Sequence, residues 1–264
     1  MSILYINWNI DPEIFSFLGL SVRWYGVLFA TSFFIGYLIM EKIYKNEGVA
    51  ISSLDTLTTY LIVSTVVGAR LGHCLLYEPA KYLSNPLEIL KVWEGGLASH
   101  GAAVGVMIAL LLYSKKTGLK FFWVIDRVVI LAALAGAFIR TGNLMNSEIF
   151  GYQTDVPWAF IFSNIDNIPR HPTQIYEALS YLAIFVLLLA IYYKKHEKLV
   201  PGFILGLFFI LVFSARFFIE FLKVPQVEFE NNMMLDMGQL LSIPFVLAGI
   251  YLVFRKPVSK ITIP

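Results

Sequence analysis

Seven stretches of this chain stay apolar for close to the length that a helix needs to cross a bilayer. They are Leu20–Met40, Thr56–Tyr77, Leu97–Tyr113, Phe122–Ile139, Gln174–Tyr193, Gly202–Phe221 and Met237–Phe254. A helix of about 20 residues traverses the ~30 Å hydrocarbon core. The runs are continuous rather than striped with the period of a surface helix, which argues against a soluble bundle. Composition agrees, since 14% of the residues are charged where soluble domains carry roughly 25%. The expected fold class is therefore an all-α polytopic integral membrane protein with about seven transmembrane helices. With no internal repeat and no low-complexity linker, residues 1–264 are expected to form a single transmembrane domain.

Several classes fall away at this level. The net charge of +2 is spread over basic residues at the span ends, so no nucleic-acid partner is expected. The single Cys74 cannot form an internal disulfide. Residues 1–19 contain no Lys or Arg for the n-region of a signal peptide, so the N-terminus is expected to remain on the mature protein.

The connections predict an orientation. Lys42 and Lys45, Lys115, Lys116 and Lys120, and Lys194, Lys195 and Lys198 follow the first, third and fifth spans. With Arg255, Lys256 and Lys260 of the tail these make eleven basic residues on one side, against four (Lys81, Lys91, Arg170 and Lys223) on the other. Positive-inside places the N-terminus outside and the C-terminus in the cytoplasm. The two long connections are then external. Residues 78–96 carry Tyr82, Leu83, Leu87, Leu90 and Trp93 between Pro79 and Pro86, a pattern suited to lying along the interface. Residues 141–173 are too aromatic for disorder, and loops that long usually have a function.

The ionisable residues near hydrocarbon converge on the same side. In a membrane chain such groups are costly and are read first as functional. Arg23 and Tyr25 open the first span, Arg70 and His73 lie in the outer third of the second, and His100 opens the third. Arg140 closes the fourth, His171, Tyr176 and Glu177 open the fifth, and Arg216 and Glu220 share a face near the end of the sixth. Structural readings compete for most of these. Arg23 and Arg127 snorkel or pair as readily as they act, Arg70 suits a pairing with Glu78 or another carboxylate, and His73 reads as a packed histidine. Arg216 and Glu220 also suit a plain intrahelical ion pair, and the Tyr and Trp residues an interfacial belt. His100 stands apart: small-residue packing accounts for the glycines around it but not for the imidazole.

Two arginines facing one cavity suit a phosphate, because guanidinium forks grip its oxygens in pairs. A neutral histidine nearby can take a proton from an incoming nucleophile. Asn143, Asn146 and Glu148 are placed to orient such groups or glycerol hydroxyls. No metal is expected, for lack of His and carboxylate groups at ligand spacing, and no nucleophile elbow is present. From the residues alone, the chain is a headgroup transferase or a lipid-handling protein.

Arg140-x-Gly142-Asn143-x-x-Asn146-x-Glu148-x-x-Gly151 resembles the central motif of the bacterial prolipoprotein diacylglyceryl transferases. The resemblance extends to Arg23-Trp24-Tyr25-Gly26, His100-Gly101, Arg170-His171-Pro172-Thr173-Gln174-Ile175-Tyr176-Glu177, Arg216-Phe217-Phe218-Ile219-Glu220 and Met237-Gly238-Gln239, so it covers nearly the whole chain. It implies transfer of the diacylglyceryl group of phosphatidylglycerol to the lipobox cysteine thiol of exported prolipoproteins. A thioether forms and glycerol phosphate is released, as the first step of lipoprotein maturation. It implies no cofactor and no metal, partners limited to those substrates and membrane lipids, and residence in the bacterial cytoplasmic membrane with the site facing the outer leaflet. The resemblance implies a catalytic set of His100, Arg140, Arg216, Glu148 and Tyr25. Its phosphatidylglycerol-binding set is Arg140, Asn143, Asn146, Gly151, Arg216 and Glu220. In that scheme His100 takes the thiol proton, the two arginines neutralise the phosphate, and Tyr25, Asn143, Glu148 and Glu220 position them.

The chain departs from the family pattern at Ile139, Leu144 and Ala102, where Gly, Phe and Gly are usual, and at Lys223 and Gln226, where Arg and Asp are usual. The competing functions are an anionic lipid transporter and a noncatalytic lipid- or peptide-binding membrane protein. A transporter would need polar groups down to the midplane, whereas here Asp55, Thr58, Thr59, Asp126 and Arg127 lie only toward the inner ends.

Overall fold

The structure, a computed structural model, describes residues 5–17, 20–92, 95–195, 198–226, 230 and 233–255. Trp93, Lys256 and Lys260 lie outside the described residues. In chain order the elements are β1 (Ile6–Trp8), β2 (Glu13–Phe17), β3 (Leu20–Arg23), α1 (Trp24–Asn46), α2 (Ile51–Leu76), α3 (Pro79–Ser84) and a 3-10 turn (Pro86–Leu90). These are followed by α4 (Ser99–Thr117), α5 (Phe121–Met145), β4 (Phe160–Phe162), β5 (Pro169–Arg170), α6 (Thr173–Lys195), α7 (Phe203–Glu220) and α8 (Met237–Phe254).

The protein is mostly helical and polytopic. Each of the seven expected spans corresponds to one long helix, but among the described residues six rather than seven are long and apolar enough to cross a membrane. The shortfall is α4. Its apolar run is flanked by Ser99 and His100 at one end and by Ser114, Lys115 and Lys116 at the other. Two span limits also move. Leu20–Arg23, read as the start of the first span, is β3, because it pairs antiparallel with β2 before the chain turns helical at Trp24. The fourth span does not stop at Ile139; α5 continues through Arg140, Thr141 and Asn143 to Met145. The start of α8 falls at the expected Met237 because Asp236 caps it. Its carboxylate accepts from Gln239 N, while the Gln239 side chain accepts from Asp236 N.

The chain forms two compact units, divided within α1 after Gly36 and within α5 after Ile125. One unit holds residues 37–125. Here α2 and α4 pack with their backbones nearly touching: a Cβ on Gly101 would lie 2.2 Å from Gly68 O, and one on Gly105 would lie 2.5 Å from Ser64 O. Tyr44 and Tyr113, both fully buried, share a 3.0 Å hydrogen bond. Among the described residues Arg70 pairs with no carboxylate. Its guanidinium donates to the carbonyls of Glu88, Ile89, Gly95 and Gly96 and lies over the Tyr82 ring, fastening the connection after α2. His73 is a packed histidine, stacked on Tyr77 and 3.3 Å from Glu78. Leu83, Leu87 and Leu90 of the connection are exposed.

The other unit holds the remaining strands and helices and the motif that opens at Arg140. α7 and α8 close on Gly206 and Gly249, and Phe213 stacks on Phe245 with ring centroids 4.3 Å apart. Asp126, one turn into α5, caps α7 from a distance in sequence: its oxygens accept from Gly202 N at 2.7 Å and Leu205 N at 2.9 Å. Arg127 lies over the Tyr192 ring. The α5–α6 connection is folded. β4 pairs with β5 and, in parallel, with β1. Beneath them Leu144, Phe160 and Phe162 form a small core with Trp8, Phe150 and Ile175. Leu144, one of the departures, is thus a core residue, and its carbonyl accepts from the Trp8 indole at 3.0 Å.

Candidate active site

The last turns of α5, the starts of α6 and α8, and the end of α7 meet at one end of the second unit described. Helical spacing puts Arg140 and Asn143 on one face, and Arg140 Nη1 donates to Asn143 Oδ1 at 3.1 Å. The Asn143 amide donates onward to Glu148 Oε1 at 2.7 Å, and Asn146 Nδ2 reaches the same oxygen at 3.1 Å. Glu148 is exposed and, among the described residues, is held by amides rather than by a cation. Gly142 leaves the room that the Tyr25 ring fills; a Cβ there would lie 2.7 Å from Tyr25 Cδ2.

The other side of Arg140 faces charge. Its Nε lies 2.9 Å from Glu177 Oε2, on a carboxylate that is wholly buried. Glu177 Oε1 lies 3.1 Å from Lys223 Nζ and accepts from Tyr181 OH at 3.1 Å. Lys223 also donates to Glu220 Oε2 at 3.1 Å. Glu220 Oε2 in turn is 3.9 Å from Arg216 Nε. The result is a row of alternating charge: Arg140, Glu177, Lys223, Glu220, Arg216. Three cations against two carboxylates leave the row with one net positive charge.

Arg216 is the loose end of that row. The plain intrahelical pair with Glu220 is long, because Lys223 has taken the carboxylate, and Arg216 Nε is buried with no hydrogen-bond partner among the described residues. A buried, unpaired guanidinium N–H is costly, and an anion supplying oxygens to it would remove that cost. The row therefore presents one satisfied arginine, Arg140, and one open arginine, Arg216, on neighbouring helices.

Gly151 is buried and makes its contribution through bare backbone. A Cβ would lie 2.5 Å from Leu222 O and 2.7 Å from His171 Cβ. The close approach lets Gly151 N donate to His171 O and Tyr152 N to Leu222 O, and Gly151 bridges to Lys223 across the two segments. That pairing sets the segment whose Lys223 side chain joins Glu177 and Glu220. Between Asn146 and Gly151 the chain enters the left-handed region twice, at Ser147 (φ 53°) and Ile149 (φ 61°). Such conformations cost on the order of 1–3 kcal/mol each and collect at functional sites.

His171 and Tyr176 form a second polar group. The Trp158 indole donates to Tyr176 OH at 2.8 Å, so the phenol proton is free to go to His171 Nδ1, 3.2 Å away. Burial pushes the His171 imidazole below the usual histidine range, in keeping with its acceptor role. Arg170 instead binds Asp166 at 2.6 Å and covers the Phe150 ring, and its hydrogen bond holds the Asp166 carboxyl below its usual range.

Of the residues expected at the site, Tyr25, Arg140, Asn143, Asn146, Glu148, Gly151, Arg216 and Glu220 come together in this unit. His100 belongs to the other unit, exposed on the first turn of α4. Two members stand outside the catalytic and binding sets expected from sequence, Glu177 and Lys223. Glu177 carried a signal, a carboxylate near the start of an apolar span and among the polar residues expected on the outer side. Lys223 carried a weaker one, a cation three residues beyond Glu220.

The model for prolipoprotein diacylglyceryl transferases matches residues 12–255. A phosphatidylglycerol–prolipoprotein diacylglyceryl transferase of Tolumonas auensis is 52% identical over 96% of this chain and 98% of its own length. Proteins of the same name from Chloroherpeton thalassium and Porphyromonas gingivalis are 46% and 44% identical, covering 96% and 98% of this chain and 94% and 97% of their own lengths.

Proposed function

Because this chain belongs to the prolipoprotein diacylglyceryl transferase family, we propose that it moves the diacylglyceryl group of phosphatidylglycerol to the cysteine thiol of a prolipoprotein lipobox. It is a multi-pass membrane transferase. The sulfur attacks the glycerol carbon bearing the phosphate ester. A C–S bond forms, the C–O bond breaks, and the electron pair leaves on glycerol phosphate. The thiol proton goes to a base, for which His100 is the candidate.

The observation that carries this reading is Arg216. Its Nε stands buried without a hydrogen-bond partner among the described residues, at the end of a charge row with one net positive charge. A phosphate diester is a ligand of matching charge and geometry, and charge gathering on the departing oxygen strengthens the contact as the C–O bond breaks. Arg140, fixed by Glu177 and Asn143, supplies a second guanidinium in a set orientation. Glu148, exposed and held by two amides, suits the glycerol hydroxyls or the approaching thiol. Asp126 and Arg127 at the opposite end of α5 are engaged as a cap and with Tyr192, an arrangement that suits a structural role better than a station on a transport path.

The eleven-to-four basic asymmetry supports a cytoplasmic C-terminus, and thus a site that opens to the outer leaflet of a bacterial cytoplasmic membrane. The test is transfer from phosphatidylglycerol to a synthetic lipobox peptide by purified protein in detergent, beside Arg140→Ala. Product from the unaltered protein and none from the variant is expected. Folded protein that gives no product, beside an active relative, would refute the assignment.

A further inference from the structure

We propose that Thr173 and Gln174 are positioning residues, which hold Ile149 in the left-handed backbone that sets the neighbouring Glu148 carboxylate against Asn143 and Asn146. The inference rests on the function proposed above.

The loop does not choose this conformation by its composition. No glycine lies between Asn146 and Gly151, yet Ser147 has φ 53° and Ile149 has φ 61°. For a β-branched residue a positive φ is a genuine outlier, because the Cβ crowds the backbone. Something outside the loop must hold it, and two side chains do. Gln174 Nε2 donates to Glu148 O at 2.7 Å, and Thr173 Oγ1 donates to Ile149 O at 2.8 Å. These carbonyls belong to the two peptide planes flanking Ile149, so the pair of bonds fixes the residue from both sides.

The donors are well suited to the task. Both are wholly buried and form the first two positions of α6, a helix seated by its apolar span. Gln174 Oε1 has no partner among the described residues, so the bond to Glu148 O is the polar contact that orients this side chain. If either bond is lost, Ile149 is free to relax toward negative φ. The peptide joining it to Glu148 then turns, and the 2.7 and 3.1 Å contacts to Asn143 and Asn146 are broken.

The transfer assay with the full chain in detergent tests this, with a thermal melt of each variant. Thr173→Val removes the donor at constant shape. It should lower kcat about 10- to 100-fold, the scale of a displaced catalytic group, with KM for phosphatidylglycerol moving less than about threefold. Thr173→Ser keeps the hydroxyl and should stay within about threefold of the original. Adding Ile149→Gly to Thr173→Val makes the left-handed conformation cheap and should recover at least about fivefold. If Thr173→Val does not survive purification, Gln174→Glu, which sets a carboxylate oxygen against the Glu148 carbonyl, is read the same way. Turnover by Thr173→Val within about twofold of the original, or no recovery on adding Ile149→Gly, would overturn the proposal alone. No product from the unaltered chain would overturn the assigned function and this inference with it.

Discussion

The ammonium of Lys223 lies 3.1 Å from Glu177 Oε1, with the two side chains 3% and 0% exposed. Lys223 is also 3.1 Å from Glu220, so one cation satisfies two carboxylates shielded from water. Removing one member of such a group strands the others, at a cost of about 3–5 kcal/mol. Lys223→Met is therefore expected to lower the melting temperature sharply and to reduce transfer more than about tenfold. Lys223→Arg, which keeps the charge, is expected to retain most of both. Melting in detergent beside the transfer assay checks this pair.

Arg216 gives the opposite pattern. Its guanidinium has a 3.9 Å contact with Glu220 and a buried Nε without a hydrogen-bond partner among the described residues, so folding draws little from it. Arg216→Ala is expected to lose about 10²- to 10³-fold in turnover, the scale for deleting a donor to developing charge. The melting temperature should move little. A variant that lost stability and turnover together would count against the anion role.

Asp126 should be separable from chemistry. Its two oxygens accept the N–H groups of Gly202 and Leu205. Asp126→Ala removes a helix cap, worth about 0.5–2 kcal/mol, and leaves those N–H groups buried. A lower melting temperature with turnover nearly unchanged at low temperature is expected. Loss of turnover in a protein of normal melting temperature would contradict it.

His171 predicts a pH dependence. Burial lowers its folded pKa from the ordinary 6.5, so below that value the unfolded chain binds more protons than the folded one. Stability from this group is then present above pH 6.5 and is lost as pH falls through the folded pKa. Melting temperature should fall on acidification across this window, and His171→Asn should flatten that part of the profile. An equal slope in the variant would assign the effect elsewhere.

The helices were legible wherever apolar length decided them, and α8 even begins at the expected residue because Asp236 and Gln239 form its cap. Legibility failed where pairing with another segment or side chain outweighed hydropathy. Leu20–Arg23 is apolar enough to begin a span, but β2 claims it as a strand. Hydropathy ends α5 at Ile139, because a guanidinium reads as a terminus. A buried carboxylate and an asparagine satisfy that guanidinium, so the helix continues another turn and a half. The site residues on the Arg140 motif were visible, since polar groups beside hydrocarbon announce themselves. Glu177 and Lys223 stand outside the expected catalytic and binding sets because their meaning lies in each other, 3.1 Å apart between α6 and the segment that follows α7.

The parallel ladder between β1 and β4 joins the start of the chain to a segment made after the fifth helix. Such a pairing has high contact order, and its closure entropy must be met before it yields any stabilisation. During synthesis Trp8 has no Leu144 carbonyl to donate to until α5 has been made and inserted. The N-terminal strand must wait, unpaired, through four long helices. The end of α5 that bears Arg140 and Asn143 is therefore roofed late in assembly, after its own helix is already in place.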